Sequence, residues 1–503
     1  MIKNKILSNL KLLKIKNNSK KKIVLCHGVF DLLHIGHIKH FEQAKKYGDI
    51  LIVSLTLDNF VNKGSGRPFF KISERISAIS ALQVVDFVTT SESVTAVDII
   101  KKIKPDIYFK GSDYKNSKAD FTYGIKKEVA AVKKYGGKVE YGSTKMYSSS
   151  KIINQISDRS QDQKKIINKI KKKYSFDFLK EKILLGSKKI KILILGEMIV
   201  DHLIFCTALG KSGKEAILNL ENKYEKKIVG GVGAIANHLA SFVYDIKVLT
   251  YFGEYNSDTF FIKKNLKNNI KIDYFLKKNS PTIIKTKIID LSNSSKILGI
   301  YQFNDSEIIK KQKIFFYNRI RKNINKYDSV IVSDYGHGLI TPDVAKFLSK
   351  RKWVNVNTQL NSANIGYHTI GKYKNAHCAV INEVELRHEL KDRYTDVKTL
   401  MKKLSKLLNI KILVVTSGKE GSHSYYKNNF FYCPAFANAV VDKIGSGDTF
   451  MAFFVLANSI FSNDIELSLF LASIATTQVL EGFANEKTVD LVTVLKSINY
   501  ILK

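Results

Sequence analysis

Two places in this chain combine residue types that suit phosphate chemistry. In the first, a strand-like run ends in the glycine turn 28–33, and His34 and His37 follow at the start of a helical stretch. A helix N-terminus offers unpaired N–H groups and a partial positive charge to an anion. Imidazoles three residues apart beside it can donate hydrogen bonds to phosphate oxygens whose charge grows during transfer. Such a transfer needs positioning and charge stabilisation, and no nucleophilic side chain. In the second place, Gly445, Ser446 and Gly447 directly precede Asp448 and an apolar helix. Small residues let backbone N–H groups converge on an anion. An aspartate there can take the proton of a substrate hydroxyl as it attacks a γ-phosphoryl group. Each constellation also has a plainer reading: polar residues at a helix start for the histidines, and a glycine turn with an aspartate N-cap for the second.

The elements that must position these residues are those of an α/β protein. The chain has 503 residues, enough for two large α/β domains. Short apolar runs at 22–27, 50–55, 84–89 and 107–110 alternate with helical stretches, the pattern of a parallel, doubly wound sheet. The segment 156–188 is polar, basic and helical in period, and reads as a linker. A second block opens on the buried-strand pattern 190–197. It has further strand candidates at 246–252, 329–333, 353–357 and 412–416. The expected domains are a basic arm 1–21, a first domain 22–155, the linker, and a second domain 189–503 with a small lid.

Composition narrows the function classes. Four cysteines lie far apart, without a C-x-x-C pair, so neither a zinc site nor a disulfide framework is expected and a cytoplasmic location is. The longest uncharged apolar stretch, 449–461, is well short of the roughly 20 residues of a spanning helix. The first 22 residues are Lys-rich without an apolar core, so a secretory signal is not expected. The net charge of +37 raises the question of a nucleic-acid partner. Lysines are spread along the chain without aromatic interleaving, so no specific nucleic acid is expected.

The string G-x-F-D-x-x-H-x-G-H, with Asp58, Lys63, Arg75, the 110–114 stretch KGSDY and the 147–152 stretch YSSSKI, resembles the cytidylyltransferase-like nucleotidyltransferases, including the adenylyltransferase half of ADP-heptose synthases. The resemblance covers 22–155 and implies a Rossmann-like fold. It implies that His34 and His37 stabilise the α-phosphate and the departing pyrophosphate. By it, Lys63 neutralises phosphate charge, Arg75 with Ser148, Ser149 and Ser150 holds nucleotide phosphates, and Phe30 and Asp31 belong to the nucleotide-binding turn. The nucleotide would be ATP or CTP.

The string D-x-x-G-S-G-D at 442–448 resembles the second signature of the ribokinase-like (PfkB) sugar kinases. Asn382 and Glu385 match that family's N-x-x-E, and Thr416, Gly418 and Gly421 match its nucleotide segment. Gly230 and Gly231 match its sugar-side glycine pair, and Asp201 an early sugar-contacting aspartate. Asp334 lies in SDYGHG, similar to the heptose-kinase subgroup. The resemblance covers about 188–490. It implies a ribokinase-like α/β domain with a lid, ATP as donor, Asp448 as base, Gly445, Ser446 and Gly447 as anion hole, Glu385 as an indirect Mg²⁺ ligand, and a homodimer. Two departures stand out: Ala234 occupies an expected Asn position, and 357–364 (NTQLNSAN) replaces an expected D-P-K-like segment.

Together the resemblances imply a bifunctional, sugar-activating transferase for nucleotide-sugar and lipopolysaccharide biosynthesis, with the usual domain order inverted. The alternative is an active nucleotidyltransferase, such as a glycerol- or polyol-phosphate cytidylyltransferase, beside a non-catalytic or differently specific kinase-like domain.

Overall fold

The computed structural model describes residues 5–7, 21–61, 67–111, 114, 124–142, 159–213, 215–351, 353–437, 440–462 and 464–502. The chain divides into two units, 1–159 with 499–503, and 160–498.

The first unit is built on five parallel strands: β1 (Ile23–Gly28), β2 (Ile50–Thr56), β3 (Phe87–Ser91), β4 (Ile107–Lys110) and β5 (Lys138–Tyr141), in the order β3-β2-β1-β4-β5. β2 is buried along its whole length, as the unbroken run ILIVSLT requires of a central parallel strand. The order reverses at β1, and the crevice at such a switch point is where ligands bind in open parallel sheets. The helix Ile35–Lys45 starts just beyond the carboxyl end of β1. Residues 5–7 of the expected basic arm lie along β3, with Val88 donating to the Lys5 carbonyl at 2.9 Å and Leu7 donating to the Val88 carbonyl at 3.0 Å. The arm therefore carries two apolar residues, Ile6 and Leu7, that serve as an edge contact for the sheet.

The second unit has a nine-stranded sheet: β6 (Lys191–Gly196), β9 (Asp245–Tyr255), β10 (Ile270–Pro281), β13 (Ser329–Asp334), β14 (Val354–Thr358), β15 (Cys378–Asn382), β16 (Ile412–Thr416), β17 (Ser422–Tyr426) and β18 (Asn429–Cys433). Their order is β10-β9-β6-β13-β14-β15-β16-β17-β18, parallel from β10 to β16 and antiparallel beyond. A separate four-stranded sheet, β12 (Lys296–Gln302), β11 (Ile283–Asp290), β7 (Met198–Lys211) and β8 (Leu218–Gly231), forms the lid. The segment expected as a linker is two helices from 161 onward, Gln161–Lys173 and Phe176–Lys189. They bury Ile166, Ile167, Ile170, Leu179 and Ile183, so their apolar stripe makes them part of the second unit. No helix among the described residues is long and apolar enough to cross a membrane.

Candidate active sites

In the first unit, His34 caps the helix Ile35–Lys45: its Nδ1 accepts from the Gly36 N–H at 3.1 Å. That bond leaves the proton of the neutral ring on Nε2, a donor by chemistry. His37 lies one turn on and stacks against His34, ring centroids 3.9 Å apart. Phe30 backs the pair edge-on, 5.3 Å from His37, and adopts a left-handed backbone at φ 47°. Beneath the turn, burial and the charge of Lys110 push both His27 and His40 down to about 4. Lys110 is itself buried and paired with Glu128 at 3.1 Å, and Glu128 also accepts from the Tyr108 hydroxyl at 2.9 Å.

Asp31 and Arg75 act inside the protein. Asp31 is buried and accepts from Arg67 Nε at 2.5 Å, Phe69 N–H at 2.8 Å and Phe70 N–H at 2.9 Å. Arg75 is 1% exposed. It donates to the carbonyls of Val29 at 2.7 Å, Thr56 at 3.0 Å and Phe70 at 3.0 Å, and pairs with Asp58. Arg75 thus braces the turn between β1 and the histidines, a positioning part. Lys63, Ser148, Ser149 and Ser150 lie outside the described residues.

In the second unit the site forms at the carboxyl ends of β6 and β13, under the inner face of the lid. Asp448 sits in the first turn of the helix Ser446–Ile460 and is buried. Ser333, at the end of β13, donates to its Oδ1 at 3.3 Å. Burial, reinforced by the charge of Asp201, raises Asp448 to about 6, while the Ser333 hydrogen bond and Lys285 oppose the shift. Gly445 has φ +80°, and a Cβ there would fall 2.0 Å from Asn485 Oδ1. At Gly447 a Cβ would meet nothing within 4 Å, so open space lies at this helix N-terminus. Asp442, the first residue of the signature, shapes the loop: its carboxylate accepts from the N–H groups of Ile444 at 3.2 Å and Ala484 at 3.1 Å. Lys296 of β12 pairs with it at 2.5 Å.

The lid supplies Asp201, which Lys287 meets at 3.4 Å. A side chain at Gly230 would stand 2.5 Å from Asp201 Oδ2, so the glycine keeps room for this carboxylate. Lys285 is opposite Asp201 across the parallel β11–β7 pair, so both point to one face of the lid. Burial lowers its pKa, and Asp201 and Asp448 resist the shift. Asp334 is held rather than offered: Lys372 at 2.6 Å, the Tyr373 hydroxyl at 2.5 Å and the Gly336 N–H at 3.2 Å all reach its carboxylate.

Sequence reasoning missed Glu197, Lys277, Lys285 and His337. Glu197 is fully buried and accepts from three backbone N–H groups of the SDYGHG loop, Tyr335 at 3.0 Å, His337 at 3.2 Å and Leu339 at 3.3 Å. Burial and neighbouring Asp334 push it up to about 7. Lys277 donates to the carbonyls of Asn304 at 2.6 Å and His337 at 2.9 Å. The His337 ring is buried, and neither nitrogen has a hydrogen-bond partner. The only signal for Glu197 was its place one residue past a buried strand.

The departure at 357–364 has a structural account. Asn361 and Asn364 both donate to the Tyr335 carbonyl, at 3.1 and 3.0 Å, so this loop clamps SDYGHG from below. Gly336, at φ +76°, lets Asn364 approach where a Cβ would stand 2.5 Å from its Nδ2. Glu385 and Asn382 form a capping box, with Glu385 Oε2 accepting from the Asn382 N–H at 2.7 Å and Oε1 from Leu360 at 3.1 Å. Burial raises Glu385 to about 7. Thr416 ends β16, and Gly418 and Gly421 belong to the turn that follows it. Ala234 is in the buried helix Val232–Leu239. Asn237, three residues on, spends its amide on the Asn265 carbonyl at 3.0 Å and the Lys267 N–H at 3.0 Å.

A parallel sheet, a lid and a carboxylate beside a glycine-rich helix start define a phosphotransferase of the sugar-kinase type. The chain belongs to the pfkB family of carbohydrate kinases, whose family model matches residues 189–483. Residues 25–155 match the cytidylyltransferase-like model. Among curated proteins it resembles the bifunctional protein HldE of Campylobacter concisus, 37% identical over 153 residues, 30% of each chain. The HldE of Campylobacter fetus is 44% identical over 116 residues, 23% of this chain and 25% of that one. The matched part spans about a third or less of the length of these relatives. Phosphofructokinase-2 of Escherichia coli shares the fold of the second unit, with a TM-score of 0.50 and 12% identity over 62% of this chain and all of that one.

Proposed function

We propose that the chain is a bifunctional, sugar-activating enzyme. The second unit phosphorylates a sugar or sugar phosphate of heptose type with ATP, at the anomeric hydroxyl. Asp448 takes the hydroxyl proton, the freed oxygen attacks the γ-phosphorus, and ADP leaves. The first unit joins the sugar 1-phosphate to a nucleotide from ATP or CTP. A sugar-phosphate oxygen attacks the α-phosphorus and pyrophosphate leaves, with His34 and His37 donating to the charged oxygens. The observation that carries the reading is Asp448, buried and raised to about 6 at a glycine-built helix start with open space at Gly447. A base with that pKa is deprotonated at neutral pH and still strong enough to draw a proton.

Lys285 and Lys287 on the inner face of the lid suit a substrate that carries its own phosphate. Mg²⁺ would supply charge neutralisation to the bound phosphates. The described residues contain no group of three metal-ligating side chains. Each Glu385 oxygen already accepts one N–H, which fits an ion held mainly through water and substrate phosphates. Relatives named as bifunctional support two activities on one chain, and the product would enter nucleotide-sugar and lipopolysaccharide synthesis. Four buried thiols without disulfides support a cytoplasmic home. Exposed Leu298, Ile300 and Tyr224 on the lid sheet support a homodimer.

The test is mass spectrometry of products from the purified chain with Mg²⁺, offered ATP, CTP or GTP and free sugars, sugar 7-phosphates or sugar 1-phosphates. The expected result is ADP from heptose 7-phosphate with ATP, and a nucleotide-diphospho-heptose from heptose 1-phosphate. Inert heptoses alongside a coupled polyol phosphate would overturn the heptose assignment.

A further inference from the structure

The two buried arginines of the first unit are employed differently. Arg75 spends four N–H donors on three carbonyls and Asp58. Arg67 has a side chain only 3% exposed, yet it commits Nε alone, to Asp31 at 2.5 Å. Its Nη1 and Nη2 are buried without a hydrogen-bond partner. The ring of Tyr500, one of the C-terminal residues belonging to this unit, lies 5.6 Å from its Cζ, an aromatic contact that satisfies none of these N–H groups. Leaving charged donors buried and unmet is costly, and an oxyanion in contact with them removes that cost. A guanidinium edge with two free nitrogens matches two oxygens of a phosphate group. The contact with Asp31 ties this edge to the turn that leads into His34 and His37.

We infer that Arg67, not Arg75, is the arginine that binds a phosphate group in the nucleotidyl-transfer site. This rests on the reading of the first unit as a nucleotidyltransferase. Two sources carry the chemistry: the pyrophosphate end of the nucleotide, and the phosphate of the sugar 1-phosphate.

The test uses the full chain as wild type, R67Q and R67K. Pyrophosphate binding is measured by calorimetry, and the KM for nucleotide and for sugar 1-phosphate is measured by pyrophosphate release. R67Q is expected to weaken pyrophosphate binding, or to raise the KM for sugar 1-phosphate, at least tenfold, with ADP release by the second unit unchanged. Which of the two moves identifies the source. Unchanged pyrophosphate affinity together with unchanged KM for both substrates overturns the inference. Should R67Q also lower the melting temperature, R67K decides. A lysine can keep the ion pair with Asp31 but offers no fork, so it should restore the melting temperature and not the affinity. Recovery of both would mean a structural arginine. Pyrophosphate binding that depends on Arg67 in a wild-type chain without transfer activity would uphold the site and reject the reading it rests on.

Discussion

The same physical force moves the titratable groups of the two units in opposite directions. Burial disfavours charge in both. In the first unit it acts on imidazoles, and with Lys110 nearby it keeps His27 and His40 neutral, down to about 4. In the second it acts on carboxylates, and lifts Asp448 to about 6 and Glu385 and Glu197 to about 7. The difference fits the two reactions proposed for the chain. A phosphate ester is already a nucleophile, so nucleotidyl transfer needs donors that stabilise charge. A sugar hydroxyl is not, so phosphorylation needs a base, and a desolvated aspartate supplies one.

The sharpest way to break this contrast is Asp448→Asn. Loss of the base should lower ADP release by roughly two to four orders of magnitude, the usual contribution of a positioned acid–base group. Pyrophosphate release from sugar 1-phosphate should not change. A coupled assay for each product reads both halves in one preparation, and a parallel fall in both rates would dissolve the division of labour.

The converse variant is His34→Ala. Removing a donor to a developing oxyanion typically costs about 10²–10³ in rate. That loss should appear in pyrophosphate release alone. Because His34 also caps its helix, His34→Asn, which keeps a side-chain acceptor for Gly36, should recover the helix but not the rate.

A third experiment concerns Glu197, which touches the SDYGHG loop and not the reacting atoms. Glu197→Ala leaves three backbone N–H groups without an acceptor. A misplacement of about 1 Å can cost about 10²-fold in rate. The expected sign is a fall in ADP release with a raised KM for the sugar.

The smallest effect is in pH. Asp448 must be ionised to act, so kinase kcat/KM should fall about tenfold per pH unit below about 6 and level above it. The stability sign is opposite. Glu197 and Glu385 have folded values above those of the unfolded chain, so the folded state holds extra protons between about 4.5 and 7. Their contribution to stability is full below that window and is lost as pH rises through about 7. A melting temperature of the second unit that climbs over this range would refute the assignment.

Much of the fold was legible in the sequence, because a parallel strand buried on both faces writes an unbroken apolar run. The runs at 107–110 and 412–416 coincide with β4 and β16. β8 was not legible: ENKYEKK reads as polar loop, and it is a strand because β7 pairs with it along its length. The helices at 161–189 read as a linker because ten lysines conceal a narrow isoleucine and leucine stripe. At the sites, local strings announced Asp448, His34 and His37. Glu197 and Lys285 carry no string, since their meaning comes from a loop about 140 residues away and from a cross-strand register. Arginine was the least legible type, for spacing does not reveal whether its five donors face the protein or a ligand.

The pair between Lys296 and Asp442 has a mechanical consequence. β12 is a strand of the lid, while Asp442 pins the loop that ends in Gly445, Ser446 and Gly447. Lifting that sheet would strip the carboxylate of its counter-ion and leave only the N–H groups of Ile444 and Ala484 to meet its charge. One ion pair thereby ties the four-stranded sheet to the glycine turn, so the two are fastened as a single piece.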